Sequence, residues 1–76
     1  MTERELSFGE KACGVSFNPS NRQDVDLLKR KFAEVVDLLN QHRDDATPEA
    51  ARMLSIAITE TQAAQMWAVK AVTWGV

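Results

Sequence analysis

The chain has 76 residues and a formal net charge of −2. At this length a single core is marginal, and small chains usually add disulfides, a metal or partner subunits. The lone Cys13 excludes an internal disulfide, one Cys and one His (His42) exclude an ordinary zinc site, and the slight acidity argues against duplex nucleic acid as a partner.

No run approaches the ~20 apolar residues of a membrane span. The N-terminal stretch MTERELSFGEKA is charged and carries no secretory pattern, so a lone thiol points to a reducing cytoplasm. Subunit association is left as the source of extra stability. The pattern predicts an all-α chain: one domain over residues 1–76, an antiparallel helical hairpin with a short N-terminal arm, assembled as a homo-oligomer.

Residues 1–21 form the arm. Thr2 through Lys11 suit a short helical turn, with Gly9 as its weak point. Gly14-Val15-Ser16-Phe17-Asn18-Pro19-Ser20-Asn21 reads as an extended link containing a turn. Pro19 keeps Asn18 out of the helical region, and Ser20 or Asn21 can cap the next helix.

Helix one is predicted over residues 22–41. Val25, Leu28, Phe32, Val35, Val36 and Leu39 recur at helical spacing, and Leu27 and Leu38 widen the stripe. Asp24 and Asp26 suit its first turn, and His42 and Arg43 lie just past its C-terminal end. Residues 41–46 are a short polar connection, so the two helices are antiparallel neighbours.

Helix two is predicted over residues 47–74, with Thr47 as N-cap, Pro48 in the first turn and Gly75 as the stop. One stripe runs through Met53, Ile56, Ala57, Ala64, Trp67, Ala71 and Trp74. Another runs through Leu54, Ile58, Val69 and Val72. Helix one can cover only one of these sides, so the other needs the arm or another subunit.

No catalytic constellation is present. Asp44-Asp45 reads as a solvated loop and His42 as a helix-end charge, and Cys13 lacks the basic surroundings of a reactive thiol apart from Lys11. Lys29-Arg30-Lys31 point in three helical directions. Leu28 belongs to the apolar stripe, which puts Lys29 near the edge of the packed face. Lys70, the only charge after Glu60, is either a snorkelling lysine at an interface rim or an anion contact. Phe8 and Phe17 either dock into the core or stack on a planar ligand. Asn18 and Ser20 either cap a helix or donate hydrogen bonds to a phosphate.

The stretch Gly14-Val-Ser-Phe-Asn-Pro-Ser20, the Leu28-Lys29 pair, Ser55-Ile-Ala-Ile-Thr-Glu60 and Gln65-Met-Trp-Ala-Val-Lys-Ala71 together resemble a family of small bacteriophage anti-defence proteins. Its members sequester cyclic oligonucleotides and so counter CBASS, the cyclic-oligonucleotide-based anti-phage signalling system of bacteria. The resemblance spans about residues 8–73 and implies a compact helical homohexamer acting in the host cytoplasm. It implies a binding protein, not an enzyme, with no cofactor and no metal. Cyclic dinucleotides such as 3′,3′-cGAMP would sit uncleaved between subunits, and some members also hold cyclic trinucleotides in separate pockets. An arm aromatic (Phe8 or Phe17) would stack on a base and Lys29 would meet the phosphates. Thr59 matches the helix-two threonine, but where some members carry an Arg before it, this chain has Ile58. The competing class is a helical oligomerisation or protein-binding module of a phage, with no nucleotide ligand.

Overall fold

The computed structural model describes residues 5–18 and 22–75. Three helices occur in order: α1 (Phe8–Ala12), α2 (Gln23–Arg43) and α3 (Pro48–Val72). No strand occurs among the described residues. The chain is all-α, an antiparallel hairpin of α2 and α3 with α1 laid across α2. The expected helical turn over Thr2–Lys11 reduces to α1, with Thr2 outside the described residues. The expected caps Ser20 and Asn21 also lie outside them.

Each helix end has a local cause. Ser7 opens α1 with a capping box: its hydroxyl accepts from Glu10 N at 3.1 Å, and the Glu10 carboxylate accepts from Ser7 N at 2.8 Å. A Schellman pair closes α1, with Val15 N donating to Glu10 O and Gly14 N to Lys11 O. This turn needs φ of +60° at Gly14, which glycine adopts without a Cβ penalty. Before α2, Asn18 brackets the peptide of Arg22, accepting from its N at 3.3 Å and donating to its O at 2.8 Å. Thr47 caps α3 by accepting from Ala50 N, with Pro48 in the first turn. Arg43 at the end of α2 donates to Ser55 of α3 at 3.1 Å, fixing the hairpin at its loop end.

Gly9 is the closest crossing point rather than a weak one. A Cβ there would lie 2.1 Å from the Ala33 carbonyl oxygen of α2. Close approach lets Gly9 N donate to Asp37 Oδ1 at 2.7 Å while Ser7 Oγ donates to Asp37 Oδ2 at 2.8 Å. One carboxylate thereby latches the first turn of α1 onto α2.

The core is small: Cys13, Val15, Ala33, Val36 and Ile58, with Leu6, Ala12, Phe32 and Leu39 packed against it. Its position corrects the expected stripe on α2. The buried line is Val25, Lys29, Ala33 and Val36, whereas Val35, Leu27 and Leu38 are exposed. On α3 only Ile58 and Gln65 are buried. Met53, Ile56, Met66, Trp67, Val72 and Trp74 are exposed, so this single chain leaves most of the first predicted stripe uncovered, whereas of the second only Val72 is exposed. The molecule measures 43 × 36 × 12 Å, a slab about as thick as one helix. Among the described residues, no helix is long and apolar enough to cross a membrane.

Candidate functional site: a lysine-lined groove between arm and hairpin

Between the turn after α1 and the C-terminal half of α3 lies an open groove of about 550 Å³. This lies within the ~300–1,000 Å³ range of small-molecule sites. One wall is Lys11 through Gly14 with Phe17, the other is Gln62, Gln65, Met66, Val69 and Lys70, and Lys29 of α2 lies at the base. Three of the lining residues are lysines and none is acidic. A second hollow of about 260 Å³ continues past Phe17 and Lys29 to Asn18 and Arg22.

Lys29 is not at the edge of the packed face, as its spacing from Leu28 suggested; it is only 6% exposed. The stripe is phased on Val25 and Ala33, which puts position 29 inward, beneath the arm. Its ammonium donates to Gly14 O at 3.1 Å and to Phe17 O, and the Phe17 ring centroid is 5.4 Å away. An ammonium has three N–H donors, so one is left over after the two carbonyls. Arg30 and Lys31, its neighbours in sequence, are surface groups paired with Asp26 and Glu34.

Phe17 is 72% exposed, its ring presented over the groove rather than buried. Lys70 faces the groove and also stands over two indoles, 5.4 Å from the Trp67 ring and 5.9 Å from Trp74. That contact fits a cation held by aromatic faces beside a ligand surface. Asn18 borders the adjoining hollow with its amide committed to Arg22. Phe17, Lys29 and Lys70 therefore share the groove, and Asn18 shares the adjoining hollow with Phe17 and Lys29. Phe8 does not join them: it lies by the loop end of the hairpin, with the Arg43 guanidinium 5.3 Å from its ring. Thr59 is exposed, one helical turn before Gln62, and its hydroxyl donates to Ser55 O in its own helix. Ile58 is buried in the core. Ser20 lies outside the described residues.

Gln62 and Gln65 were not singled out by the sequence pattern. Gln62 Nε2 donates to Ala12 O at 3.2 Å, tying α3 to the arm across 50 residues. Gln65 is only 6% exposed. The available signal was its spacing of seven from Ile58, which puts both on the inner face of α3. Cys13, 3% exposed at the groove wall, is a quiet thiol: burial, then Asp37, pushes its pKa up, with Lys29 opposing. Among the described residues there is no cluster of His, Cys, Asp and Glu that could hold a metal. The arrangement can hold an anion with a flat, stackable portion.

No curated protein and no solved structure matches the chain. The family model described as "Acb2/Tad1, hairpin domain" matches residues 11–73, from the end of α1 through both long helices. The groove, its lysines and both glutamines all fall inside that match, and the chain belongs to the Acb2/Tad1 hairpin family, the anti-CBASS sponges of bacteriophages, which are binding proteins acting in the infected host cell.

Proposed function

We propose that this protein sequesters cyclic dinucleotides such as 3′,3′-cGAMP, uncleaved, so that the host effector is never activated. The observation that carries the reading is the groove in which Lys11, Lys29 and Lys70 meet the Phe17 ring with no acidic residue in the lining. A cyclic dinucleotide presents two flat bases and two phosphates. The Phe17 ring stacks on a base, while the spare N–H of Lys29 and the ammonium of Lys70 meet phosphate oxygens. Phe17 takes the stacking role ahead of Phe8, because only Phe17 shares the groove with Lys29.

One chain leaves the groove open, so a second copy closes it. The exposed apolar side chains of α3 supply the contact, and a homohexamer is the assembly that accords with the family resemblance. Ile58 in place of an arginine, buried in the core, argues against a cyclic-trinucleotide site built on that position.

The test is thermal melting and calorimetry with cyclic dinucleotides, with the ligand recovered after protease treatment. At a hundredfold excess over Kd, binding adds about 2.7 kcal/mol per site, or an upward shift of roughly 10–20 °C in Tm. Intact ligand in the eluate fits sequestration, whereas linearised nucleotide refutes it. A monomer at micromolar concentration by light scattering refutes closure by a second copy. An apolar surface that oligomerises but ignores every nucleotide favours the helical-module alternative.

A further inference from the structure

We infer that Gln65 reads the edge of an adenine base and sets the nucleobase preference of the groove, an inference that rests on the groove being a cyclic-dinucleotide site. Gln65 lies on the inner face of α3, where a methionine or leucine would pack as well, and it is 6% exposed. Its carboxamide makes no hydrogen bond to any described residue. No fully occluded side-chain nitrogen or oxygen among the described residues lacks a partner. The polar end of Gln65 therefore opens onto the groove it lines. Opening there, the carboxamide is bonded by water, which a ligand carrying a matching donor and acceptor can replace.

Other polar groups on these walls are committed in part. Gln62 is bonded to Ala12 O, Lys29 to two arm carbonyls with one N–H to spare, and Lys70 stands over Trp67 and Trp74. The lysines offer donors only and suit phosphate. Gln62 keeps its Oε1 and one N–H, but its Nε2 is held by the arm, whereas both ends of the Gln65 carboxamide are uncommitted. A base stacked on Phe17 would present its edge to the groove wall. Adenine shows an amino donor next to a ring-nitrogen acceptor on both its Watson–Crick and its Hoogsteen edge, so a carboxamide pairs with it in either orientation. Guanine's Hoogsteen edge shows two acceptors, which the carboxamide cannot match, so guanine can pair with it only through O6 and N1–H of its Watson–Crick edge.

The experiment is calorimetry of the wild-type protein at fixed salt with three ligands: cyclic di-AMP, cyclic di-GMP, and a cyclic dinucleotide carrying unsubstituted purine, which lacks only the 6-amino group. The expected result is about tenfold weaker binding for the purine analogue than for cyclic di-AMP, with cyclic di-GMP also weaker than cyclic di-AMP because it pairs through one edge only. In Gln65→Met, cyclic di-AMP should fall to the level of the analogue, and the analogue should change less than twofold. Equal wild-type affinity for cyclic di-AMP and the analogue overturns the assignment, as does a preference for cyclic di-GMP. Discrimination that persists in Gln65→Met also overturns it. If Gln65→Met does not fold, the wild-type comparison of amino and purine ligands decides alone. No binding of any of the three by the wild type removes the cyclic-dinucleotide reading itself, whereas binding without base preference removes only the role of Gln65.

Discussion

Lys29→Met separates a surface anion contact from a lysine that holds the arm in place. The sequence placed this lysine at an edge, where its loss would spare the fold. In the structure it is 6% exposed and its ammonium bridges the carbonyls of Gly14 and Phe17. Methionine keeps most of the buried stem and removes the two bonds. Gly14 O retains the amide of Phe17, at 2.9 Å, while Phe17 O loses its lysine donor. Hydrogen bonds to charged groups contribute ~1.5–3 kcal/mol each. Removing a desolvated ammonium returns part of that sum. A net loss of about 2–3 kcal/mol results, and at ~4–8 °C per kcal/mol the melting point should fall by roughly 10–20 °C. Far-UV circular dichroism melts of wild type, Lys29→Met and Lys31→Ala measure this. Lys31 is an exposed partner of Glu34 at 3.7 Å, so its variant should stay within ~0.5 kcal/mol of wild type. A Lys29→Met protein melting within about 3 °C of wild type, well under the shift for 1 kcal/mol, would show that the arm does not depend on this lysine.

Gly9→Ala should destabilise by about 1–3 kcal/mol through overpacking, because the new methyl meets the Ala33 carbonyl, a backbone atom that cannot turn aside. Gly14→Ala has open space around it and should cost only ~1 kcal/mol, from its positive φ; a larger effect at 14 than at 9 by urea titration would contradict the crossing geometry. Asp37→Ala removes the acceptor of Ser7 Oγ and Gly9 N, and should release α1, read as lost hydrogen-exchange protection at Gly9 with α3 protection retained. The buried Cys13 thiol, its pKa raised, should react with Ellman's reagent only as fast as the arm opens. Because the folded state favours the protonated thiol, this contribution to stability is present below the unfolded pKa of about 8.5 and fades as pH rises through the folded one. Cys13→Ala should lack that alkaline slope in melts across the same range.

The hairpin was legible because its punctuation is local. Thr47-Pro48 opens α3 and Gly75, with φ of +82°, lies just beyond its end, as the sequence suggests. The expected end at 74 moves to Val72, where Thr73 takes the cap. The faces were harder to read. Val25, Lys29, Ala33 and Val36 form the packed line of α2, but a lysine gives no apolar signal and an alanine a weaker one than its larger neighbours, so Leu28 and Val35 drew the stripe toward themselves. What buries Lys29 is a pair of carbonyls far back in the chain, which no periodicity within α2 encodes. Gln65 was hidden for the same reason: its surroundings come from the arm. Of the candidate contacts, Phe17, Lys29 and Lys70 meet at one groove and Asn18 borders the adjoining hollow, while Phe8 falls at the loop end because α1 crosses α2 through Gly9 and Asp37.

A slab 12 Å thick has almost no inside. Exposed apolar residues such as Leu38 and Trp67 contribute little to the folding of the lone chain. Changes there should therefore be filtered by whatever lies against the face, whereas changes at Gly9, Lys29 or Ala33 are filtered by folding itself. For a viral gene this separates two kinds of drift: the thin interior fixes a frame that tolerates few replacements, and the outer faces can be rewritten in matched steps with their neighbours while the frame stays as it is.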